Sequence, residues 1–369
     1  MTDRSADVIV IGGGLHGLSA ALHLSIRGAK VLVLEKDYAG RHASGVNAGG
    51  VRRLMRDLAE VPLSVEAMKL WHRIEDLVDD DCGFVLCGQA MVAETEEQME
   101  QLRDRARMVS ALGFNHEEPI DADDLFRIVP DIAPHCVGAL ISRDDGAALP
   151  FRTSDAFRRR AEALGARVFT GNAVTDIRQS AGTWQVQTRE TCFEAPVVVN
   201  AAGAWGGRIA AMLDDPVPLE PHAPMLMITE PVAPFLTPVL GAVGRTLSFK
   251  QFDNGTLLIG GGFMGHADAD NNRADTRLAG LAESARTVQA LFPQLRDVRI
   301  LRSWAGLEGA MPDMIPVLGR SGSHGNAFHS FGYSYHGFQL SPVTGRIIAD
   351  LILDGDTDLP INPFRPGRF

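Results

Sequence analysis

The first 36 residues alternate between short apolar runs and one amphipathic stretch. Residues 7–11 are nearly all apolar and β-branched, which predicts a buried strand. Leucine and isoleucine then recur at helical spacing over residues 15–26, and Gly28 follows as the expected helix end. A second apolar run at residues 31–34 ends at Glu35. This order predicts a β–α–β unit, whose crossover is right-handed in nearly all proteins.

Further along the chain, helical and strand patterns alternate less regularly. A proline-rich segment at 214–262 predicts an antiparallel sheet with its prolines at edges and bends. In the last predicted helix, 341–353, Ser341 is the expected N-cap and Pro342 the first helical residue. The other predicted elements are helices at 60–81, 95–112, 152–164 and 278–292, strands at 83–93, 166–170 and 197–200, and a hairpin at 176–188 with Gly182 in its turn.

The composition is typical of a globular protein with two domains. The chain has 369 residues, of which 45% are apolar and 22% charged, which excludes a disordered, collagenous or coiled-coil protein. Its net charge of −11 repels phosphate backbones, so nucleic acid is not an expected partner. The 38 glycines exceed the usual share of about 7%. They predict positive-φ turns or a backbone that approaches a ligand closely.

The cysteines and the apolar N-terminal stretch bear on location. None of the four cysteines forms a C-x-x-C pair, which argues against a zinc ribbon or an iron–sulfur cluster and favours reduced, cytosolic thiols. The 19 uncharged residues of 8–26 have the length of a membrane span, but three consecutive glycines and two histidines interrupt them. An acidic start also differs from a signal peptide. We therefore expect a cytoplasmic protein without a transmembrane segment.

A glycine motif lies between the first strand and the first helix. Gly12, Gly14 and Gly17 satisfy G-x-G-x-x-G, and Glu35 ends the next strand 18 residues after the last of them. In dinucleotide-binding folds these glycines allow a tight turn, close approach of the pyrophosphate and close packing of the helix. The helix N-terminus then binds phosphate, and the acid accepts hydrogen bonds from a ribose. An acid at this position disfavours NADP, whereas NAD and FAD share the motif.

Four later motifs decide between NAD and FAD. They are the sequences SGVNAGGVR at 44–52, NAAGAW at 200–205, WAGL at 304–307 followed by MPD and PVLG, and FGYSYHGF at 331–338. Together, and in this order, they resemble the D-amino acid oxidase (DAO) superfamily of FAD enzymes. Within it, the chain is similar to the branch of glycine and sarcosine oxidases, D-amino acid dehydrogenases, and the β-type subunits of opine, hydroxyproline and cyanide-forming glycine dehydrogenases.

The resemblance implies an α/β fold with two domains, both discontinuous in sequence. A Rossmann-type FAD-binding domain is expected to comprise 1–83, 146–214 and 312–369. A substrate-binding domain, an antiparallel sheet with helices, is expected to comprise 84–145 and 215–311.

The resemblance also implies which residues bind the cofactor. The loop before the last helix would direct its N–H groups at the flavin N1–C2=O edge, where reduction places negative charge. Gly306 occupies a position where several relatives carry a covalently bound cysteine, so FAD is expected to be non-covalent, with His42 as the alternative attachment point. The expected cofactor-binding residues are Gly12, Gly14, Leu15, His16, Gly17, Glu35, Lys36, Ser44, Asn47, Ala48, Gly49, Gly50, Val174, Ala202, Gly203, Trp205, Gly306, Gly332, Tyr333, His336, Gly337, Phe338 and Gln339.

Two departures from the sarcosine oxidases bear on the reaction. Gln339 stands where a lysine binds the substrate carboxylate, and Leu258 stands where a second lysine helps oxygen accept electrons. Leucine cannot stabilise superoxide electrostatically, so poor oxygen reactivity is expected. Substrate anchors must then come from Arg52 or Arg53 and from Lys250. The candidate catalytic residues are His336, Tyr335, Tyr333, Arg52 and Lys250, and no metal site is expected.

The expected reaction is oxidation of the C–N bond of an amino acid or secondary amine, of the opine, hydroxyproline or D-amino acid type. Hydride would pass to flavin N5 and then, as electrons, to an acceptor other than oxygen. Two alternatives stay open: a 2-hydroxy acid dehydrogenase with His336 as its base, and a FAD-carrying subunit that needs a companion redox subunit.

Overall fold

A six-stranded sheet lies at the centre of one half of the molecule. The structure is a computed structural model and describes residues 4–369. All of its strands run parallel except the edge strand Val317–Arg320, which pairs antiparallel with Ala327–Phe331. Their order across the sheet is Val317–Arg320, Ala327–Phe331, Val197–Asn200, Val8–Ile11, Val31–Leu34 and Arg167–Phe169. This arrangement confirms the predicted Rossmann-type fold.

The first β–α–β unit forms as the sequence predicts. Val8–Ile11 pairs with Val31–Leu34, and all eight residues are buried, as expected for a sheet covered on both faces. The helix Leu15–Ile26 connects them. Gly28 has φ +83°, a left-handed conformation that ends the helix at little steric cost.

A larger sheet of eight strands forms the second half. Its order is Ile300–Ala305, Met225–Thr229, Leu257–Gly260, Arg245–Gln251, Val239–Ala242, Gln89–Ala93, Gly138–Ser142 and Glu118–Asp121. The sheet is antiparallel as predicted, except that Val239–Ala242 and Gln89–Ala93 run parallel. The two sheets draw their strands from the two sets of segments expected for the two domains, whose boundaries stay a prediction.

The remaining elements cover the sheets or connect them. A three-stranded sheet contains the predicted hairpin, with a tight turn at Gly182. Its strands are Val174–Ser180, Thr183–Thr188 and Cys192–Ala195, and two-stranded ladders join Glu220–His222 to Glu308–Ala310, His266–Asp268 to Arg273–Asp275 and Gly50–Val51 to Gly146–Ala147. The α-helices are Leu15–Ile26, Ala43–Val46, Val61–Trp71, Ile74–Val78, Glu96–Ala111, Ala122–Ile128, Pro150–Ala163, Gly206–Met212, Leu278–Leu291 and Gly337–Leu353, and short 3-10 turns span Gly203–Trp205, Pro293–Leu295, Asn362–Phe364 and Pro366–Arg368.

Two predicted elements are shorter than expected. The strand predicted at 83–93 is limited to Gln89–Ala93, because Gly83 and Gly88 adopt positive φ and turn the chain before it. The helix predicted at 60–81 is divided in two, since Arg73 has the non-helical angles φ −128° and ψ 29°. Neither break is visible in the hydrophobic pattern alone.

The last helix begins earlier than predicted. It spans Gly337–Leu353, so Pro342 lies inside it and Ser341 is not its N-cap. Proline lacks the N–H that would bond the carbonyl of Phe338, four residues back. The Ser341 hydroxyl donates to that carbonyl at 2.8 Å and satisfies it instead. The helix therefore tolerates its proline.

The first and last helices pack closely against each other. A Cβ on Gly345 would lie 2.2 Å from the hydroxyl of Ser19, so only glycine fits at this crossing. None of the helices formed by residues 4–369 combines the length and the apolarity that a membrane crossing requires.

Candidate active site

A cavity of about 770 Å³ extends between the carboxyl ends of the parallel strands and one face of the larger sheet. This volume is in the upper part of the range for small-molecule and cofactor sites, roughly 300–1,000 Å³. Ligands of open α/β sheets bind at this end of the strands. The cavity is therefore the candidate site for both cofactor and substrate.

The glycine motif forms one end of the cavity. Gly12 has φ +109°, and a Cβ there would lie 2.4 Å from the carbonyl oxygen of Ala201. A Cβ on Gly17 would lie 2.0 Å from the carbonyl oxygen of Gly12, so Gly17 serves the packing of helix on strand and does not line the cavity. Gly14 lines it, and the nearest atom to its missing Cβ is the hydroxyl of Ser44 at 3.1 Å. The steric roles of Gly12 and Gly17 are those expected of the motif, and the approach of a pyrophosphate to Gly14 stays a prediction.

Glu35 supports this turn from the second strand. Its carboxylate accepts hydrogen bonds from the N–H groups of Gly13 and Asp37, both at 2.7 Å, and it lines the cavity. Burial raises the pKa of Glu35, although the two N–H groups act against this shift. Each oxygen keeps a second lone pair with which to accept a ribose hydroxyl.

A tight loop after the second strand forms the middle of the cavity. Asn47 fixes this loop: its side-chain oxygen accepts from the N–H of Gly49 at 2.7 Å, and its amide group donates to the carbonyls of Ala43 and Ser44. Gly49 has φ +70° and no space for a side chain. The loop therefore presents backbone groups to the cavity, and their contact with the cofactor stays a prediction.

The N-terminus of the last helix reaches the cavity directly. Gly337 and Phe338 line it, and a Cβ on Gly337 would lie only 2.6 Å from the His16 ring. That ring stacks on Tyr333 with 3.5 Å between centroids. Because the helix begins at Gly337 rather than at 341, its positive dipole end is nearer to the cavity than the sequence predicted.

Buried charges surround the loop that precedes this helix. Arg56 donates to the carbonyl of His336 at 2.7 Å and to the side-chain oxygen of Gln339 at 3.2 Å, and it lies 3.8 Å from Glu60. Arg52 lines the cavity, donates to the carbonyl of Leu54 and is half-buried. Burial lowers the pKa of both arginines, that of Arg56 to about 9.

His336 is held neutral by this environment. Burial lowers its pKa well below the usual range, and the cations of Arg52 and Arg56 lower it further. Its Nδ1 lies 3.6 Å from a carboxylate oxygen of Glu60. Burial also raises the pKa of Glu60, against the effect of the two arginines.

A second acidic group faces the cavity from the opposite side of the loop. Glu308 lines the cavity, and one of its oxygens accepts from the N–H of Tyr335 at 2.7 Å. The Tyr335 hydroxyl is bonded to Nδ1 of His222, which lies directly opposite Glu308 in a two-stranded ladder. Burial raises the pKa of Glu308 to about 7, although the N–H of Tyr335 acts against this shift.

Lys250 approaches the cavity from behind its wall. Its Nζ comes within 3.2 Å of the point that a Gly49 Cβ would occupy, and burial lowers its pKa to about 8. It lies directly opposite Leu258 in the antiparallel ladder, so the two side chains share a face of the sheet. The Lys250 cation therefore lies on the strand next to Leu258, the position at which this sequence has no lysine.

Most of the predicted site residues meet around this one cavity. Gly17, Gln339 and Lys250 stand behind its wall, and Arg53 pairs with Asp145 at 2.9 Å instead of facing it. The predicted residues that line it are Gly12, Gly14, Leu15, His16, Glu35, Lys36, Ser44, Asn47, Ala48, Gly49, Gly50, Arg52, Val174, Ala202, Gly203, Trp205, Gly306, Gly332, Tyr333, Tyr335, His336, Gly337 and Phe338.

Sequence reasoning missed four polar residues of the site. Arg56 and Glu60 lie in the turns that precede the helix Val61–Trp71, so no helical periodicity indicated that they pair. Glu308 follows directly after the WAGL motif, so its place next to a predicted cofactor-binding motif could have identified it as a site residue. His222 lies in the proline-rich segment and carries no local signal.

The residues present fit FAD. Gly203 leaves its side of the cavity open where a Cβ would project, and the N-termini of two long helices, Leu15–Ile26 and Gly337–Leu353, are both at the cavity wall. The N-terminus of Leu15–Ile26 suits a pyrophosphate, and that of Gly337–Leu353 suits the edge of the flavin ring on which reduction places negative charge.

Comparison with known proteins decides the family. A sequence model of the DAO family, described as FAD dependent oxidoreductase, matches residues 7–351. The chain belongs to this family. The predicted cofactor, non-covalently bound FAD, is thereby confirmed, and Gly306 offers the flavin no side-chain atom for a bond.

Relatives of this DAO-family chain include enzymes of several names. It is 27% identical to sarcosine oxidase subunit beta of Rhizobium meliloti (strain 1021), over 98% of this chain and 88% of the relative. It is equally similar, at 27%, to glycine oxidase of Bacillus licheniformis, over 94% and 93%. The solved structure of L-proline dehydrogenase from P. horikoshii superposes with a TM-score of 0.92 at 26% identity, covering 99% of this chain and 98% of the other. The family thus comprises both oxidases and dehydrogenases.

Proposed function

We propose that this chain oxidises the C–N bond of an amino acid or secondary amine and passes the electrons to an acceptor other than oxygen. The observation that carries the proposal is a half-buried guanidinium, Arg52, on the wall of the cavity that the glycine motif opens. A guanidinium is the side chain best suited to bind a carboxylate. The names of the relatives, which specify sarcosine, glycine and L-proline, support the same substrate class.

Each residue group has a distinct task in this proposal. Arg52 binds the substrate carboxylate, and Arg56 holds the loop at His336 through its carbonyl. The N-terminus of Gly337–Leu353 stabilises negative charge at the cavity wall. Bound FAD supplies the capacity to accept a hydride.

The state of His336 favours C–N over C–O oxidation. A 2-hydroxy acid must lose its hydroxyl proton to a base, and His336 was the candidate for that role. Its pKa, lowered by burial and by two neighbouring arginines, makes it a weak base at neutral pH. An amine that loses its proton before reaction needs no such base.

The choice of acceptor rests on Leu258 and its surroundings. Transfer of an electron to oxygen creates an anion, which a nearby cation stabilises. Leu258 carries no charge, and the neutral His336 supplies none. The Lys250 cation, on the strand next to Leu258, lies behind Gly49 and not on the cavity wall. Because the relatives include proteins named as subunits, sarcosine oxidase subunit beta and hydrogen cyanide synthase subunit HcnC, the proposed acceptor is a companion redox subunit.

Anaerobic bleaching of the flavin tests this proposal. Purified protein is mixed with sarcosine, glycine, L- and D-proline, an opine and 2-hydroxy acids, and absorbance near the flavin maximum is followed. We expect reduction by at least one amine and not by the hydroxy acids, and reoxidation by a dye faster than by air-saturated buffer. Reduction by hydroxy acids alone would refute the proposal.

A variant pair tests the role of Arg52. Arg52→Met is expected to raise KM for the amine at least tenfold, because a charge-assisted pair is lost. Arg143→Met, which removes an exposed arginine paired with Glu118, is the matched control and leaves KM unchanged.

A further inference from the structure

A short hairpin reaches from the half of the molecule that contains the eight-stranded sheet to the half that contains the glycine motif. Its ladder pairs His266–Asp268 with Arg273–Asp275, and the residues between them form a turn. We call residues 266–275 the strap. Its base is fixed in its own half, where the N–H of Gly265 donates to the carbonyl of Ala223 at 2.8 Å. Its turn, in contrast, is bonded to the other half.

The bonds of this turn lead to side chains that line the large cavity. The indole N–H of Trp205 donates to the carbonyl of Ala269 at 2.9 Å. The ammonium of Lys36 donates to the side-chain oxygen of Asn272 at 2.5 Å, and the amide group of Asn272 donates to the carboxylate of Asp37 at 2.9 Å. Lys36 also lies 3.4 Å from the centre of the Trp205 ring, and both residues line the cavity. The strap therefore lies directly behind the cavity wall.

The strap is attached at the nucleotide end of the cavity. Lys36 and Asp37 follow Glu35, which accepts from the N–H of Gly13 in the glycine turn at 2.7 Å. Trp205 ends the NAAGAW motif. The acid and the helix N-terminus at this end are expected to bind the ribose and the pyrophosphate of FAD. The strap thus covers the end of the cavity at which the nucleotide half of FAD is expected.

Polar bonds hold the strap in place, and an apolar core does not. Of residues 266–275, all of which the structure describes, none is fully buried. A second cavity of about 160 Å³ lies between Asn272 and Arg41 on the facing loop. An ion pair joins Arg208 to Asp270, but both side chains are exposed, so it contributes little. Because elements with few buried apolar contacts open at low cost, a few hydrogen bonds set the cost of opening the strap.

We propose that the strap is a gate for FAD, closed when its turn is bonded to Lys36, Asp37 and Trp205, and opened when the cofactor enters or leaves. These bonds join protein groups to protein groups, so they resist opening in the FAD-free and the FAD-loaded protein alike. A weaker strap should therefore speed association and dissociation by the same factor and leave Kd unchanged. A residue that binds FAD directly would change Kd instead. This inference goes beyond the proposed function and does not depend on the substrate.

Asn272→Gly tests the gate, because it removes two bonds of the strap behind the wall of the larger cavity. Glycine adopts the φ of +59° at this position without strain. Dissociation is followed by the fluorescence of FAD released from diluted holoenzyme, and association by its quenching after stopped-flow mixing with FAD-free protein. We expect both rate constants to rise about 10- to 100-fold, the scale of a lost hydrogen bond to a charged group, and Kd to change less than threefold.

Asn271→Gly is the matched control, since it makes the same substitution in the same turn at a side chain that bonds Asp268 within the strap. It is expected to change neither rate constant. Faster dissociation of FAD from Asn272→Gly with unchanged association would overturn the inference, because the side chain would then act on bound FAD alone. Unchanged rate constants, or equal effects of the two variants, would overturn it as well.

Hydrogen exchange of the FAD-free proteins is a second measurement, and it stays informative if Asn272→Gly does not retain FAD. The backbone amides of residues 266–275 are expected to exchange about 10- to 100-fold faster in the variant, while those of the central strand Val8–Ile11 are unchanged. Unchanged exchange in the strap, or equal acceleration in the strap and the central strand, would overturn the inference.

Discussion

Removing Arg56 should destabilise the protein much more than removing an exposed arginine. In the structure its guanidinium donates to the carbonyls of Arg52 and His336 and to the side chain of Gln339, and lies 3.8 Å from Glu60. Arg56→Met leaves Glu60 buried without this cation, and both carboxylate oxygens already lack a hydrogen bond among residues 4–369. Breaking a buried pair from one side costs about 3–5 kcal/mol.

The double variant separates the charge from the hydrogen bonds. In Arg56→Met/Glu60→Leu no uncompensated carboxylate is left, so the loss should fall to about 1–3 kcal/mol, the cost of the orphaned carbonyls. The two substitutions should therefore couple by more than about 1 kcal/mol. Arg143→Met, at an exposed pair with Glu118, is the control and should cost about 1 kcal/mol or less.

Urea unfolding of the FAD-free variants measures these differences. Trp71 provides a local signal, since its indole N–H donates to the carbonyl of Gln339 at 2.8 Å beside the charge network. The reasoning is refuted if the double variant is as unstable as the sum of the two single variants. It is also refuted if Arg56→Met is no worse than Arg143→Met.

Three further predictions concern the cofactor, the acceptor and pH. Glu35→Ala should weaken FAD binding by about 1.5–3 kcal/mol, whereas Glu35→Gln, which keeps acceptors for the turn, should cost less; equal affinities by fluorescence titration would contradict this. Leu258→Lys should speed reoxidation of the reduced flavin by oxygen, up to roughly a thousandfold for a cation about 4 Å away at an effective dielectric of 20, and Lys250→Met should slow it; unchanged stopped-flow rates would count against both. Folding raises the pKa of Glu308 from 4.5 to about 7, so its ionisation disfavours the folded state increasingly from pH 4.5 to 7. Glu308→Gln should therefore stabilise the FAD-free protein more at pH 8 than at pH 5, by at most about 3 kcal/mol, and a pH-independent difference in melting temperature would disprove this.

The cofactor end of the site could be predicted because its information is local. The turn from Gly12 to Gly17, the strand before it and the acid at Glu35 follow one another within 30 residues, and each has a steric or electrostatic reason that the sequence displays. The helix Leu15–Ile26 and its end at Gly28 follow from periodicity in the same way.

The substrate end was harder because its partners meet only through the fold. Glu308 and His222 are far apart in sequence and become neighbours through a two-stranded ladder. The start of the last helix was misplaced because Ser341 and Pro342 have the local signature of a helix N-terminus. The hydrogen bond from the Ser341 hydroxyl to the Phe338 carbonyl, which keeps the helix continuous, becomes apparent only in the folded structure.

The strand order of the six-stranded sheet bears on how the protein is made. Its central strands include Val8–Ile11 and Val197–Asn200, and the latter pairs with Ala327–Phe331. The eight-stranded sheet takes its final strand at Ile300–Ala305, so all of its strands have left the ribosome before Ala327–Phe331 joins the six-stranded sheet. Contacts between segments far apart in sequence form slowly, and the last helix, which carries Gly345, must still pack against the first helix. The six-stranded sheet therefore cannot be completed until nearly the whole chain has been made, and the strand ends that line the FAD cavity come together only then.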